Sequence, residues 1–358
     1  SPPSAAAGPP QYPLFPAIAH YPPLSLVYRL LIARDSPHLP IDLKISRKKF
    51  RFPFSFINKR DTMLKHIFAA CAAALLMAGA HATTLKTAQG DVDLGKAPQR
   101  IAVYDIGVLD SLVALGLGER IVGVPKTRFN GEFPLKNARE IGTLFEPDLE
   151  ALNTVKPDLI IVAVRSASKL NDVKQIAPAV DLTLPGKNLY QEGIARLNNL
   201  GAVFDKTAEA KKATDEINAL RDQVKPLAAN KGKVLSVLIN GPKIALYGPN
   251  SRAGWLAAEL GLNLVHSEKM SGRHGEPVSF EYIAAENPDW IIALDRLAAI
   301  GQSGASAKQT LDNALVHGTT AWKKNQILYP ETQFIYINVG GPSALKGTLQ
   351  TLKTAFGK

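Results

Sequence analysis

Two stretches decide the fold: PDLEALNTVKPDLIIVA (residues 147–163) and SFEYIAAENPDWIIAL (residues 279–294). Both carry the spacing E-x6-P-D, as Glu150 to Pro157-Asp158 and as Glu281 to Pro288-Asp289, 131 residues apart. Asp148 and Ser279 stand two residues before each glutamate, where a short polar side chain caps a helix. Each stretch predicts a short helix, a turn and a buried strand, at 159–163 and 290–294. The strands lack polar alternation, as expected for parallel strands covered on both faces. A helix-strand unit used twice predicts two similar α/β lobes.

The front of the chain reads differently. After Met63, Lys65 and His66 precede an apolar run at 67–80 and the small-x-small triplet Ala80-His81-Ala82. This pattern predicts a secretory signal peptide at 63–82, with mature protein from Thr83. Residues 1–62 read as a non-native, disordered upstream extension. Cys71 is the only cysteine, and too little apolar sequence precedes it for a lipid anchor, so it is expected to leave with the signal. The first 82 residues hold ten Lys/Arg against three Asp, so most of the net charge of +11 lies there. The mild positive balance that remains favours anionic ligands and excludes a nucleic-acid argument from charge.

The remainder divides into an N-terminal lobe at 83–204, a linking helix at 205–229 and a C-terminal lobe at 230–358. Strands are expected at 101–104, 121–124, 159–163, 180–184, 234–239, 290–294 and 334–337. The pair Gly116 and Gly118 ends a helix and is not a dinucleotide loop. Ile217, Leu220 and Val224 share one face of the linking helix, which Pro226 bends or ends. A packed helix between lobes predicts a largely preformed cleft, with ligands at the carboxyl ends of the strands.

Arg165, Arg252 and Arg296 each follow a strand, and if the lobes face each other the three converge. Guanidinium donates paired hydrogen bonds to oxyanions and stays charged when desolvated. His274, in a glycine-bounded loop, and Tyr336, before Val339-Gly340-Gly341, offer imidazole nitrogen and phenolate oxygen to a hard ferric ion. No nucleophile elbow, zinc motif, phosphate loop or acid-base pair is present, which argues against an enzyme.

The segments AVRSASK, YGPNSRAG, SGRHGEPVSFE, ALDRLAAIG and LDNALV, with the E-x6-P-D units, resemble the periplasmic substrate-binding proteins with a helical backbone (class III). Within them the chain is similar to the catecholate-siderophore branch that takes ferric enterobactin. The resemblance implies two Rossmann-like lobes joined by one long helix. It implies a monomer with no intrinsic cofactor, carrying Fe(III) as a siderophore complex to an inner-membrane ABC permease dimer. Arg165, Arg252 and Arg296 match the basic triad over the cargo. His274 and Tyr336 match iron ligands, with Phe334 competing for the tyrosine's place. Glu150 and Glu281 match the residues that dock on the permease, and are expected on the side of each helix-strand pair opposite the arginine. Haem, cobalamin or another siderophore class are the alternative cargoes.

Overall fold

Among the described residues, thirteen strands build two sheets and a hairpin, and three helices reach 15 residues or more, at Leu189–Val203, Thr207–Ala228 and Pro342–Phe356. The computed structural model describes residues 84–266 and 275–358. The expected signal peptide, the upstream extension and His274 lie outside the described residues. β1 (Thr84–Thr87) and β2 (Gly90–Asp93) pair as an antiparallel hairpin. β3 (Ile101–Val103), β4 (Ile121–Val124), β5 (Arg139–Glu140), β6 (Leu159–Val162) and β7 (Ala179–Asp181) form the first sheet, in the order β5-β4-β3-β6-β7. All of its pairs are parallel, and the residues of β3, β4 and β6 are buried.

The second sheet is mixed. Its order is β11-β9-β8-β12-β13, with β10 also paired to β8. β8 (Lys233–Asn240), β12 (Trp290–Asp295), β13 (Ile327–Leu328) and β10 (Asn263–Leu264) run parallel. β9 (Lys243–Leu246) is antiparallel to both β8 and β11 (Glu276–Val278).

The repeated unit has a physical content in this fold. Asp148 and Ser279 cap the helices Leu149–Thr154 and Phe280–Glu286, each accepting a backbone N–H. After each helix a residue takes positive φ directly before the proline, Lys156 at 46° and Asn287 at 40°. The repeated aspartates then pin the adjoining strand. Asp158 accepts from the N–H groups of Gln99 and Arg100 at 2.8 Å, just before β3. Asp289 accepts from the N–H of Lys233 at 2.8 Å, where β8 begins. The Pro-Asp pair thus turns the chain back into the sheet and ties two strand starts together.

The linking helix spans Thr207–Ala228, and Pro226, which has no N–H to donate to the Asp222 carbonyl, stands two residues before its end. Ile217 and Val224 are fully buried, and Leu220 packs beside them. They meet Leu345, Leu349 and Leu352 of the closing helix Pro342–Phe356. Burying such an aliphatic side chain is worth about 1.5–3 kcal/mol. Lys346–Glu216 and Lys353–Gln223 contacts, both 2.7 Å, line the exposed edge of this seam.

One expected strand is absent. Residues 334–337 lie in the helical turn Gln333–Tyr336, where the Thr332 carbonyl accepts from Ile335 and Tyr336. A four-residue apolar run is compatible with either periodicity. Here one side of the run packs into the core through Ile335 and Ile337, while Tyr336 is left half-buried.

Candidate functional site: an arginine cluster on Tyr336

The strands deliver arginines to one tyrosine. β6 ends at Val162, and Val164 then adopts φ of 50°, a costly conformation for a β-branched residue. Its N–H donates to Thr183 Oγ1 at 2.7 Å, which holds the turn and aims Arg165 at the tyrosine. Arg296 is the first residue of the helix Arg296–Ile300, directly after β12, and Asp295 caps that helix. Arg252 follows the antiparallel β9 through the turn at Gly248–Ser251, whose Ser251 Oγ donates to the Gly248 carbonyl.

All three guanidiniums meet Tyr336. Arg165 Nη2 and Arg252 Nη1 donate to the Tyr336 carbonyl at 2.7 and 3.0 Å. Arg296 Nε donates to the phenol oxygen at 3.1 Å. The guanidinium carbons lie 5.3, 4.9 and 5.8 Å from the ring centre for Arg165, Arg252 and Arg296. The expected convergence is therefore present, with a division of roles the sequence did not reveal. Arg165 and Arg296 line a cavity of about 330 Å³, whereas Arg252 is 5% exposed and lies behind Tyr336. The reason is topological: β9 runs backwards, so Arg252 does not stand at a carboxyl edge as the other two do.

The cluster shifts its own ionisations. Burial and then repulsion from Arg252 hold the Arg165 pKa below its ordinary value. Burial pushes the Tyr336 phenol up, but the Arg296 hydrogen bond and the three guanidinium charges outweigh it and hold the group below the usual phenol range. Tyr247, fully buried nearby, has no charge-assisted hydrogen bond to offset desolvation and is pushed up to about 12. The guanidiniums thus favour the ionised form of the Tyr336 phenol relative to an isolated tyrosine. Phe334 does not compete for this place, since its ring lies against Gly347.

The cavity has further walls that sequence reasoning missed. Lys126, Arg128, Phe129, Phe145, Ile300 and Gln302 are among them, and no carboxylate is among its described lining residues. The loop after β4 carries Lys126 and Arg128, and its position past a strand end was the available signal. Phe145 is 56% exposed at the mouth.

Glu150 and Glu281 occupy the first turns of their helices and are exposed. Bonds from its own N–H and the Ser279 hydroxyl hold the Glu281 carboxyl below the usual range. The expectation that they lie opposite the arginines is corrected by the strand register. The Asp148 N–H donates to Ile141 O, and the Ile141 N–H to Val124 O, so the first helix begins at the carboxyl end of β4. β11 runs in the same direction as β8, with β9 between them, and ends level with Ile239, so the second helix also begins at a carboxyl edge. A helix that feeds a parallel strand must start at the far edge of the sheet. Both glutamates therefore share the edge from which Arg165 and Arg296 project.

A family model described as periplasmic binding protein matches residues 101–332. The petrobactin-binding protein YclQ of Bacillus subtilis is 29% identical over 267 residues, covering 74% of this chain and 84% of that protein. The ferric-anguibactin-binding protein FatB of Vibrio anguillarum is 28% identical, covering 72% and 82%. Among solved structures, YclQ superposes with a TM-score of 0.72 over 77% of this chain and 98% of that one, at 27% identity. The catecholate-siderophore-binding protein VctP of Vibrio cholerae gives 0.69 over 76% and 99%, at 26% identity. With two α/β lobes, a linking helix and a cavity between the lobes, this chain belongs to the periplasmic binding proteins of the helical-backbone class, and is a substrate-binding protein, not an enzyme.

Proposed function

We propose that the protein binds a ferric catecholate siderophore in the cavity beside Tyr336 and delivers it to an ABC permease for iron uptake. The observation that carries this reading is the convergence of Arg165, Arg252 and Arg296 on Tyr336 at the wall of a cationic cavity with no carboxylate among its described lining residues. Three dianionic catecholates around a ferric ion leave a trianion, and buried or half-buried guanidiniums compensate such charge at close range. The aromatic and aliphatic walls suit catechol rings. The names of the relatives, binders of petrobactin, ferric anguibactin and a catecholate siderophore, support the same cargo class.

Tyr336 is the proposed protein ligand when the siderophore leaves iron sites open, with His274 as its partner. A hexadentate cargo such as ferric enterobactin needs neither, whereas a linear bis-catecholate leaves two positions for them. Glu150 and Glu281 are the proposed permease contacts. They share an edge with the cargo-binding arginines, so docking and release use one face of the molecule. The predicted leader at 63–82 fits this periplasmic role.

Quenching of intrinsic fluorescence tests the cargo class. Ferric enterobactin and a ferric linear bis-catecholate are expected to quench with high affinity, while ferrichrome and haem are not. Trp255 reports from the segment that follows Arg252, stacked on Tyr190 at 5.7 Å. Arg165→Gln is expected to weaken the catecholates about ten- to a hundredfold, the worth of one charged hydrogen-bonding partner. Preference for ferrichrome or haem rejects the reading.

A further inference from the structure

The cavity holds more positive charge than a trianionic cargo requires. Besides Arg165 and Arg296, Lys126 and Arg128 line it, with Arg252 directly behind. Arg128 is exposed and sits on the loop after β4, in the first lobe. Its Nη1 reaches across to the second lobe and donates to the Ala298 carbonyl at 2.6 Å. Its guanidinium carbon lies 4.9 Å over the Phe129 ring, which keeps the group at the cavity wall.

Ala298 O is a neutral acceptor with a second partner. The Gly301 N–H also donates to it, at 3.3 Å, in the turn that ends the helix Arg296–Ile300. If Arg128 turns away, this carbonyl is not orphaned, so no buried-polar penalty opposes the change. A guanidinium bond to an anionic oxygen is roughly twice as strong as one to a neutral acceptor. An anionic cargo group within reach therefore outcompetes Ala298.

Resting on the cargo reading above, we propose that Arg128 is a fourth cargo-binding arginine that exchanges the Ala298 carbonyl for a carboxylate lying outside the iron's coordination shell. Together with Lys126 it tunes the site to ferric catecholates that carry such a free carboxylate. The position supports this role. Arg128 approaches from the lobe opposite Arg296 and lines the cavity together with the exposed Phe145.

A matched pair of probes tests the assignment. One is the ferric complex of bis(2,3-dihydroxybenzoyl)lysine, which bears a free carboxylate. The other is the same compound as its methylamide. Arg128→Gln is expected to weaken binding of the acid about ten-fold while changing the amide by less than about two-fold, and Arg128→Lys to recover part of the loss. The selective loss is expected to shrink as salt rises, because the residue is exposed. Equal weakening of both probes, or no weakening of either, overturns this assignment and leaves the cargo reading intact. Failure of the unaltered protein to bind either probe removes both.

Discussion

Tyr336 concentrates the chemistry at the scale of one residue. Its carbonyl accepts from Arg165 and Arg252, and its phenol oxygen accepts from Arg296. The depressed phenol pKa has a definite consequence for pH. An acid whose folded pKa lies below its unfolded value, near 10 for tyrosine, contributes stability above that unfolded value. The contribution fades as pH falls through the folded pKa and is absent below it. In an alkaline titration followed by phenolate absorbance, Tyr336 is expected to ionise before Tyr190 and Tyr247, each pushed up to about 12. Arg296→Gln is expected to move that first ionisation upward. An unchanged first step in the variant removes the electrostatic account of the shift.

At the scale of the element, the E-x6-P-D unit divides its work between two jobs. The capped helix and positive-φ turn reverse the chain, and the aspartate ties the neighbouring strand. Lys156 holds the same backbone conformation that Asn287 holds in the second copy, but without asparagine's tolerance for it. Lys156→Asn is therefore expected to stabilise the protein by about 0.5–1 kcal/mol in urea unfolding. Asp158→Ala leaves the Gln99 and Arg100 N–H groups without their acceptor and is expected to cost about 1–3 kcal/mol. Cargo affinity is expected to survive both changes, since neither residue lines the cavity. The helical turn Gln333–Tyr336 shows the limit of reading at this scale. Its apolar side chains allowed a strand, and only the hydrogen bonds to Thr332 and Gln333 distinguish the helix.

Across the whole molecule, the segment 333–343 joins the lobes. It lies in the second lobe by sequence, yet its bonds go largely to the first. Asn338 Nδ2 and Ser343 Oγ donate to the buried Asp110 at 2.9 and 2.7 Å. Arg196 donates to the Val339 carbonyl at 3.0 Å, and Arg165 holds Tyr336. Ile337 enters the core of the first lobe. With the linking and closing helices packed together, these bonds favour a preformed cavity over wide hinge motion. The shared edge of Glu150, Glu281 and the arginines leads to a prediction for transport. The double variant Glu150→Ala/Glu281→Ala is expected to bind cargo normally and fail in uptake. Because both glutamates are exposed, the remaining uptake of single variants is expected to be salt-sensitive. Normal uptake by the double variant rules out the docking role.

The sequence by itself determined the two α/β lobes, the linking helix, both helix caps and three arginines for one site. Those features follow from local rules: capping chemistry, apolar periodicity and turn residues act over a few positions. Tertiary structure alone decided that β9 runs backwards and so puts Arg252 behind Tyr336 rather than in the cavity. It decided that Tyr336 sits on a helical turn, that Lys126 and Arg128 join the site, and that the glutamates share the arginines' edge. Each of these depends on which strands pair and in which direction, and strand pairing is set by contacts between residues far apart in the chain.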